Sequence, residues 1–205
     1  MHHTRRRLTA AAAALTLAAT LAACSGQTDP GGTEPAEQET TASETADAAA
    51  HNEADTEFAQ MMIAHHQGAI EMAQMAVEKA TNPEVKALAE QIEAAQDPEI
   101  EQMTGWLEAW GEETTAMDHG GMDHGGMQMD GMDQEQAMSE LASLEGAAFD
   151  QRFLELMTAH HEGAVAMSEQ QLEEGENADA LQLARKIIDD QTVEITEMQN
   201  LLAAS

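Results

Sequence analysis

Shifting the chain by 95 residues lays its second half over its first without a gap. Asp55, Phe58, Met62, Ala64, His65, His66, Gly68, Ala69 and Met72 recur as Asp150, Phe153, Met157, Ala159, His160, His161, Gly163, Ala164 and Met167. The match continues through Asn82, Leu88, Ala89, Ile92, Gln96, Glu99, Ile100 and Met103. These return as Asn177, Leu183, Ala184, Ile187, Gln191, Glu194, Ile195 and Met198. A chain written twice in this way folds as two equivalent units, so the fold follows from what one unit is.

Each unit reads as a helical hairpin. Phe58, Met62, His65, Ala69, Met72 and Ala76 are spaced 4-3-4-3-4, the seam of a packed helix. Asn82-Pro83-Glu84 then restarts a helix, with Asn as the N-cap, Pro at the first helical position and an acid in the first turn. The second helix presents Leu88, Ile92, Gln96, Glu99, Met103, Trp106 and Trp110. In the other copy Gly175 ends one helix and Asn177 caps the next. Aromatic residues make up only 2% of the chain and Tyr is absent, so the core is Ala, Leu, Ile and Met, a helical rather than a sheet composition. The expected fold is all-α: a four-helix bundle over residues 52–205, with hairpins at 52–110 and 139–205 joined by a loop at 111–138. Pro98 stands mid-helix where the other copy has Val193, and it is expected to kink or break that helix at a cost of about 3 kcal/mol.

What precedes the bundle is an address and a tether. Residues 1–24 carry Arg5, Arg6 and Arg7, a short apolar run and Leu21-Ala22-Ala23-Cys24, the pattern of an export signal. The run is too short for a comfortable membrane span. Leu-Ala-Ala-Cys resembles a bacterial lipobox, which makes Cys24 a lipid attachment point and the mature protein a membrane-anchored, extracytoplasmic one. The Arg run also resembles a twin-arginine signal. Residues 25–51 are Thr, Glu, Ala, Pro, Gly and Gln with almost nothing to bury, as in a disordered acidic linker. With 8 Lys+Arg against 39 Asp+Glu the formal net charge is −31, which excludes a nucleic-acid binder. The single Cys excludes an intrachain disulfide framework and any multi-Cys metal site.

The chemistry rests on His and Met. Met62 precedes His65 by three residues and His66 by four, and Met157 stands likewise to His160 and His161, so each thioether neighbours two imidazoles on one helix. Met72 and Met167 lie farther along the same seams. The seam positions turn His65 and His160 inward, with His66 and His161 flanking them. Glu99 and Glu194 also fall on seams, one turn before Met103 and Met198, and a buried Glu there needs an imidazole partner. Between the hairpins stands a Gly-rich run with Met117, His119, Met122, His124, Met127, Met129 and Met132. Met has no core to fill in such a loop. Thioether with imidazole suits copper(I) and, by the same softness, silver(I); imidazole with Asp carboxylate also holds copper(II). Zinc is disfavoured by the Met content and the lack of Cys.

Phe58-x-x-Met61-Met62-x-x-His65-His66-Gln67-Gly68-Ala69-Ile70-x-Met72-Ala73, followed by Gln96-x-x-Glu99-Ile100-x-x-Met103, resembles the CopM-like family, domain of unknown function 305. The resemblance spans roughly residues 52–205 and covers both halves. It implies a ferritin-like four-helix bundle, exported from the cytoplasm, with copper binding and copper tolerance attributed to some members. Carried onto this chain, it falls on Met62, His65, His66, Met72, His160, His161 and Met167, and Pro98 departs from its usual uninterrupted helix.

The leading expectation is a membrane-tethered protein that sequesters copper or hands it to a copper-handling partner, the loop capturing and the bundle holding. Two alternatives stand beside it. One is a ferritin-like metal oxidase, although Met62 and Met157 occupy the places where dimetal bundles carry the Glu of Glu-x-x-His. The other is a metal-free helical interaction lipoprotein, which would be favoured if the four His lay apart or exposed. Nucleophilic Ser/His/Asp or Cys/His catalysis has no support.

Overall fold

The computed structural model describes residues 50–115 and 131–204, and all of its regular elements are helices. Two long antiparallel pairs form the bundle: α1 (Glu53–Lys79) with α2 (Pro83–Trp110), and α4 (Gly146–Glu174) with α5 (Ala178–Ala204). A short α3 (Gln134–Ser143) lies between them in sequence. Among the described residues no helix is long and apolar enough to cross a membrane.

Local chemistry sets the boundaries. The Asn52 side chain caps α1 and closes a capping box with Asp55. Asn82 and Pro83 start α2 as the sequence reading expects, and Gly111 ends it in the left-handed region at φ 78°. Asn177 accepts from the backbone N–H groups of Asp179 and Ala180. Gly175 does end α4, but in extended backbone rather than a left-handed turn. His51, placed in the linker by the sequence, stacks on Trp110 with ring centroids 4.5 Å apart.

Two expectations are corrected. α2 runs unbroken through Pro98, because Ile92, Gln96, Glu99, Met103 and Leu107 all lie on its buried face on both sides of the Pro. Packing over that face offsets the lost backbone bond. The inter-hairpin segment is also not loop as far as 138: Asp133 accepts from Gln136 N–H and starts α3, and Ala137 and Leu141 bury its apolar side. Helix α3 is pinned at its end by Lys79, whose Nζ donates to the carbonyls of Leu141 and Ala142, and by the Arg152–Glu140 ion pair.

The hairpins meet chiefly through α1 and α4, which run antiparallel. Reciprocal clamps hold this crossing. Asp150, at the start of α4, accepts from Thr81 N–H, Thr81 Oγ1 and Asn82 N–H in the turn between α1 and α2. Its repeat mate Asp55 accepts from Glu176 and Asn177 N–H in the turn between α4 and α5, and from Gln171. The apolar core falls into two layers related by the same pseudo-two-fold. One contains Phe58, Met62, Met103, Leu183 and Ile187, and the other Phe153, Met157, Met198, Leu88 and Ile92. α3 enlarges the second layer only.

Candidate functional site

A buried polar belt crosses the bundle between the two apolar layers. At its centre His65 from α1 and His160 from α4 face each other across the pseudo-two-fold, with ring centroids 3.6 Å apart and planes tilted by 39°. They are 2% and 3% exposed. The antiparallel crossing brings them together, because each stands at the same height on its own helix.

The adjacent residues, His66 and His161, are fully buried and turn to the second helix of their own hairpins. His66 Nε2 lies 2.8 Å from Glu99 Oε2, and His161 Nε2 lies 2.7 Å from Glu194 Oε2. An ionised carboxylate only accepts, so the imidazole donates from Nε2 and keeps its lone pair on Nδ1. The Nδ1 atoms of His66, His160 and His161 are shielded from solvent and have no hydrogen-bond partner among the described residues. Orphaned buried acceptors of this kind suit a metal ion better than a packed core. Gln96 and its repeat mate Gln191 share the belt, and both keep side-chain polar atoms without partners.

The electrostatics favour neutral imidazole. Burial, followed by repulsion from His65, His161 and His66, holds the His160 pKa well below its ordinary value. Neutral imidazole is the ligand form. Burial pushes the Glu99 carboxyl up, but hydrogen bonds and charge from His66 and Lys186 outweigh it and leave the pKa below the ordinary value. Lys186 Nζ sits 2.8 Å from Glu99 and 2.7 Å from Asp190. The repeat position of Lys186 is Gln91, so the two halves differ here. Glu194 has no lysine and is half-buried.

The thioethers are divided by the same symmetry. Met62, Met103 and Met167 belong to one apolar layer, and Met72, Met157 and Met198 to the other, so the belt has one Met triad on each side. Met167 is half-buried and the other five are fully buried. Met132, read from sequence as a loop donor, packs half-buried against the second layer at the foot of α3, where it does have a core to fill. Met117, His119, Met122, His124, Met127, Met129 and Cys24 lie outside the described residues.

Among the described residues no three His, Cys, Asp or Glu side chains are grouped so as to hold a metal ion. Imidazoles meet at the crossing, and the thioethers lie in the apolar layers on either side. Thioether and imidazole are donors that soft ions accept. Glu99 and Glu194 are each paired with an imidazole of their own hairpin. Sequence reasoning missed Gln96 and Gln191 as belt residues, although Gln on the same apolar seam in both copies was the signal. It also missed α3, which Asp133-x-x-Gln136 announces as a capping box ahead of Ala137 and Leu141.

The family described as Domain of unknown function (DUF305) matches residues 55–202. The chain belongs to the DUF305 family. No curated protein matches it. Among solved structures, a DUF305 protein from Streptomyces coelicolor, described as secreted, is 34% identical with a TM-score of 0.67, over 74% of this chain and 93% of that one. A DUF305 fragment from Deinococcus radiodurans is 29% identical with a TM-score of 0.66, over 75% and 98%. CopM in its Cu(I)-bound form is 32% identical with a TM-score of 0.61, over 73% and 96%. CopM has also been solved in Cu(II)-bound and Ag-bound forms. The DUF305 match starts at Asp55 and ends at Leu202, so it takes in both clamps and the whole polar belt.

Proposed function

We propose that this DUF305 protein is exported, held at the membrane through a lipid on Cys24, and binds copper(I) and silver(I), sequestering the ion or passing it to a copper-handling partner. The observation that carries the reading is the buried, solvent-shielded imidazole pair at the α1–α4 crossing, with a Met triad on either side. Donor softness supports copper(I) and silver(I). The fold shared with CopM, solved with Cu(I), Cu(II) and Ag, supports the same ions. His65, His66, His160 and His161 would supply nitrogen, and Met62, Met72, Met103, Met157, Met167 and Met198 sulfur. Met117, His119, Met122, His124, Met127 and Met129 would form a capturing loop, with copper(II) taken through imidazole and carboxylate. The secreted description of the Streptomyces coelicolor relative supports export.

The test is copper(I) titration of the mature protein beside a variant with all four belt histidines changed to Ala, with circular dichroism to verify helicity. The variant should lose the tightest sites, and deletion of 117–132 should lower the stoichiometry further. A mature protein that binds no copper(I) would refute the proposal.

A further inference from the structure

A cavity of about 240 Å3 reaches the belt from the surface, lined by Ala64, His65, Gly68, Asp133, Gln134 and His160. Its two ends differ in chemistry. His65 and His160 are buried and form the floor, whereas Asp133 is exposed and stands at the mouth. Ala64 and Gly68 make smooth walls. Between them Gln134 Nε2 donates to the Gly68 carbonyl at 2.9 Å, so the amide spans the cavity wall from α3 to α1. Gly68 is needed for this approach: a Cβ there would stand 2.9 Å from Gln134 Oε1. Helix α3 is held at its far end by Lys79 and Arg152, which fixes where Gln134 is presented.

An ion cannot reach His160 through the apolar layers, whose side chains are close-packed at near-zero exposure. The cavity holds room for several waters at about 30 Å3 each, so an ion can shed its hydration shell inside it. Its order is that of a route inward: an anionic carboxylate that gathers cations, an amide held to the Gly68 carbonyl, then a buried, unpartnered imidazole Nδ1 on His160.

Resting on the copper reading above, we infer that this cavity is the entry port for a soft monovalent cation, with Asp133 as its collecting group and the Gln134 side chain as its gate. The port is a property of one face only. α3 packs over Gly68, while its repeat mate Gly163 is part-exposed, so the duplication supplies two halves of a site and α3 assigns one of them the entrance.

The experiment is stopped-flow transfer of copper(I) from a chromophoric chelator to the full mature chain carrying Cys24→Ser, with release measured by competition. Gln134→Ala should speed both entry and release severalfold, with the Kd unchanged. Gln134→Cys modified with a bulky maleimide should slow both at least about tenfold, again at constant Kd. A residue that merely braced the fold would instead shift affinity and thermal stability together. Equal rates in all three proteins, with copper still bound, would overturn the port and leave the copper reading intact. Failure of the parent protein to bind copper(I) would overturn both.

Discussion

Acid loads the unfolded chain with a proton that folded His160 refuses. The unfolded imidazole titrates near 6.5, while burial and the neighbouring histidines hold the folded one well below that. Below pH 6.5 the unfolded state therefore binds more protons than the native state, and stability falls as pH falls. Each such proton contributes about 1.4 kcal/mol per pH unit. From neutral pH down to about pH 5, the loss assigned to His160 is at most about 2 kcal/mol. Glu99 acts in a lower window. Its folded pKa is depressed, so its stability is present above its ordinary value of 4.5 and is lost only as pH falls through the folded value. Urea unfolding of the metal-free protein at about pH 7.5 and about pH 5 reads the effect directly. His160→Leu removes the group while filling a similar volume, and acidic residues common to both proteins cancel in the comparison. The wild-type chain should lose more stability than the variant over that interval, by at most about 2 kcal/mol. Identical pH dependence in the two proteins would refute the claim that His160 is held neutral by burial.

Asp150→Ala strips three hydrogen bonds from the turn between α1 and α2 and leaves two backbone N–H groups unmet, so denaturant unfolding should show a loss of about 3–5 kcal/mol. Asp55→Ala should cost a similar amount by the same assay, because it empties the mirror-related clamp. Glu99→Gln should destabilise more than Glu194→Gln in chemical denaturation, since only Glu99 also answers a lysine and lies fully within the core. Replacing Met72, Met157 and Met198 together by Leu keeps core volume, with each swap costing under about 1.5 kcal/mol, yet should weaken silver(I) binding in calorimetry; unchanged silver affinity would return those thioethers to packing alone.

The fold was legible because duplication and seam spacing are properties of the sequence itself. Once Phe58 to Ala76 is a helix face and Asn82-Pro83 a restart, the second copy follows and the hairpins have one economical way to pack. The pairing of His66 with Glu99 was legible in outline too, since a carboxylate on an apolar seam must find a donor. What escaped was asymmetry. α3 fully buries just Ala137 and Leu141, with Met138 half-buried beside them, too few for a periodic signal, and its anchors Lys79 and Arg152 are distant in sequence. Pro98 was misjudged for a related reason: a local rule about one backbone bond could not weigh the packing of Ile92 through Leu107. The direct contact of His65 with His160 needed the crossing height of α1 and α4, which Asp55 and Asp150 set from opposite ends.

The two halves have drifted apart freely where the fold permits. Lys186 corresponds to Gln91, Pro98 to Val193 and Ala59 to Leu154. Yet both halves keep a paired histidine, a seam glutamate and a seam glutamine, all of them costly inside a helical bundle. A belt of four buried imidazoles, three of them with an unpartnered Nδ1 among the described residues, weakens the core that surrounds it; Leu or Met at those three positions would pack without unmet polar atoms. Residues that serve stability alone would have been the first to be replaced by such apolar ones in one half or the other. The retained set is the destabilising set, and it is the set that lines the polar belt. Function rather than packing is therefore what holds the two copies alike at the waist of the bundle.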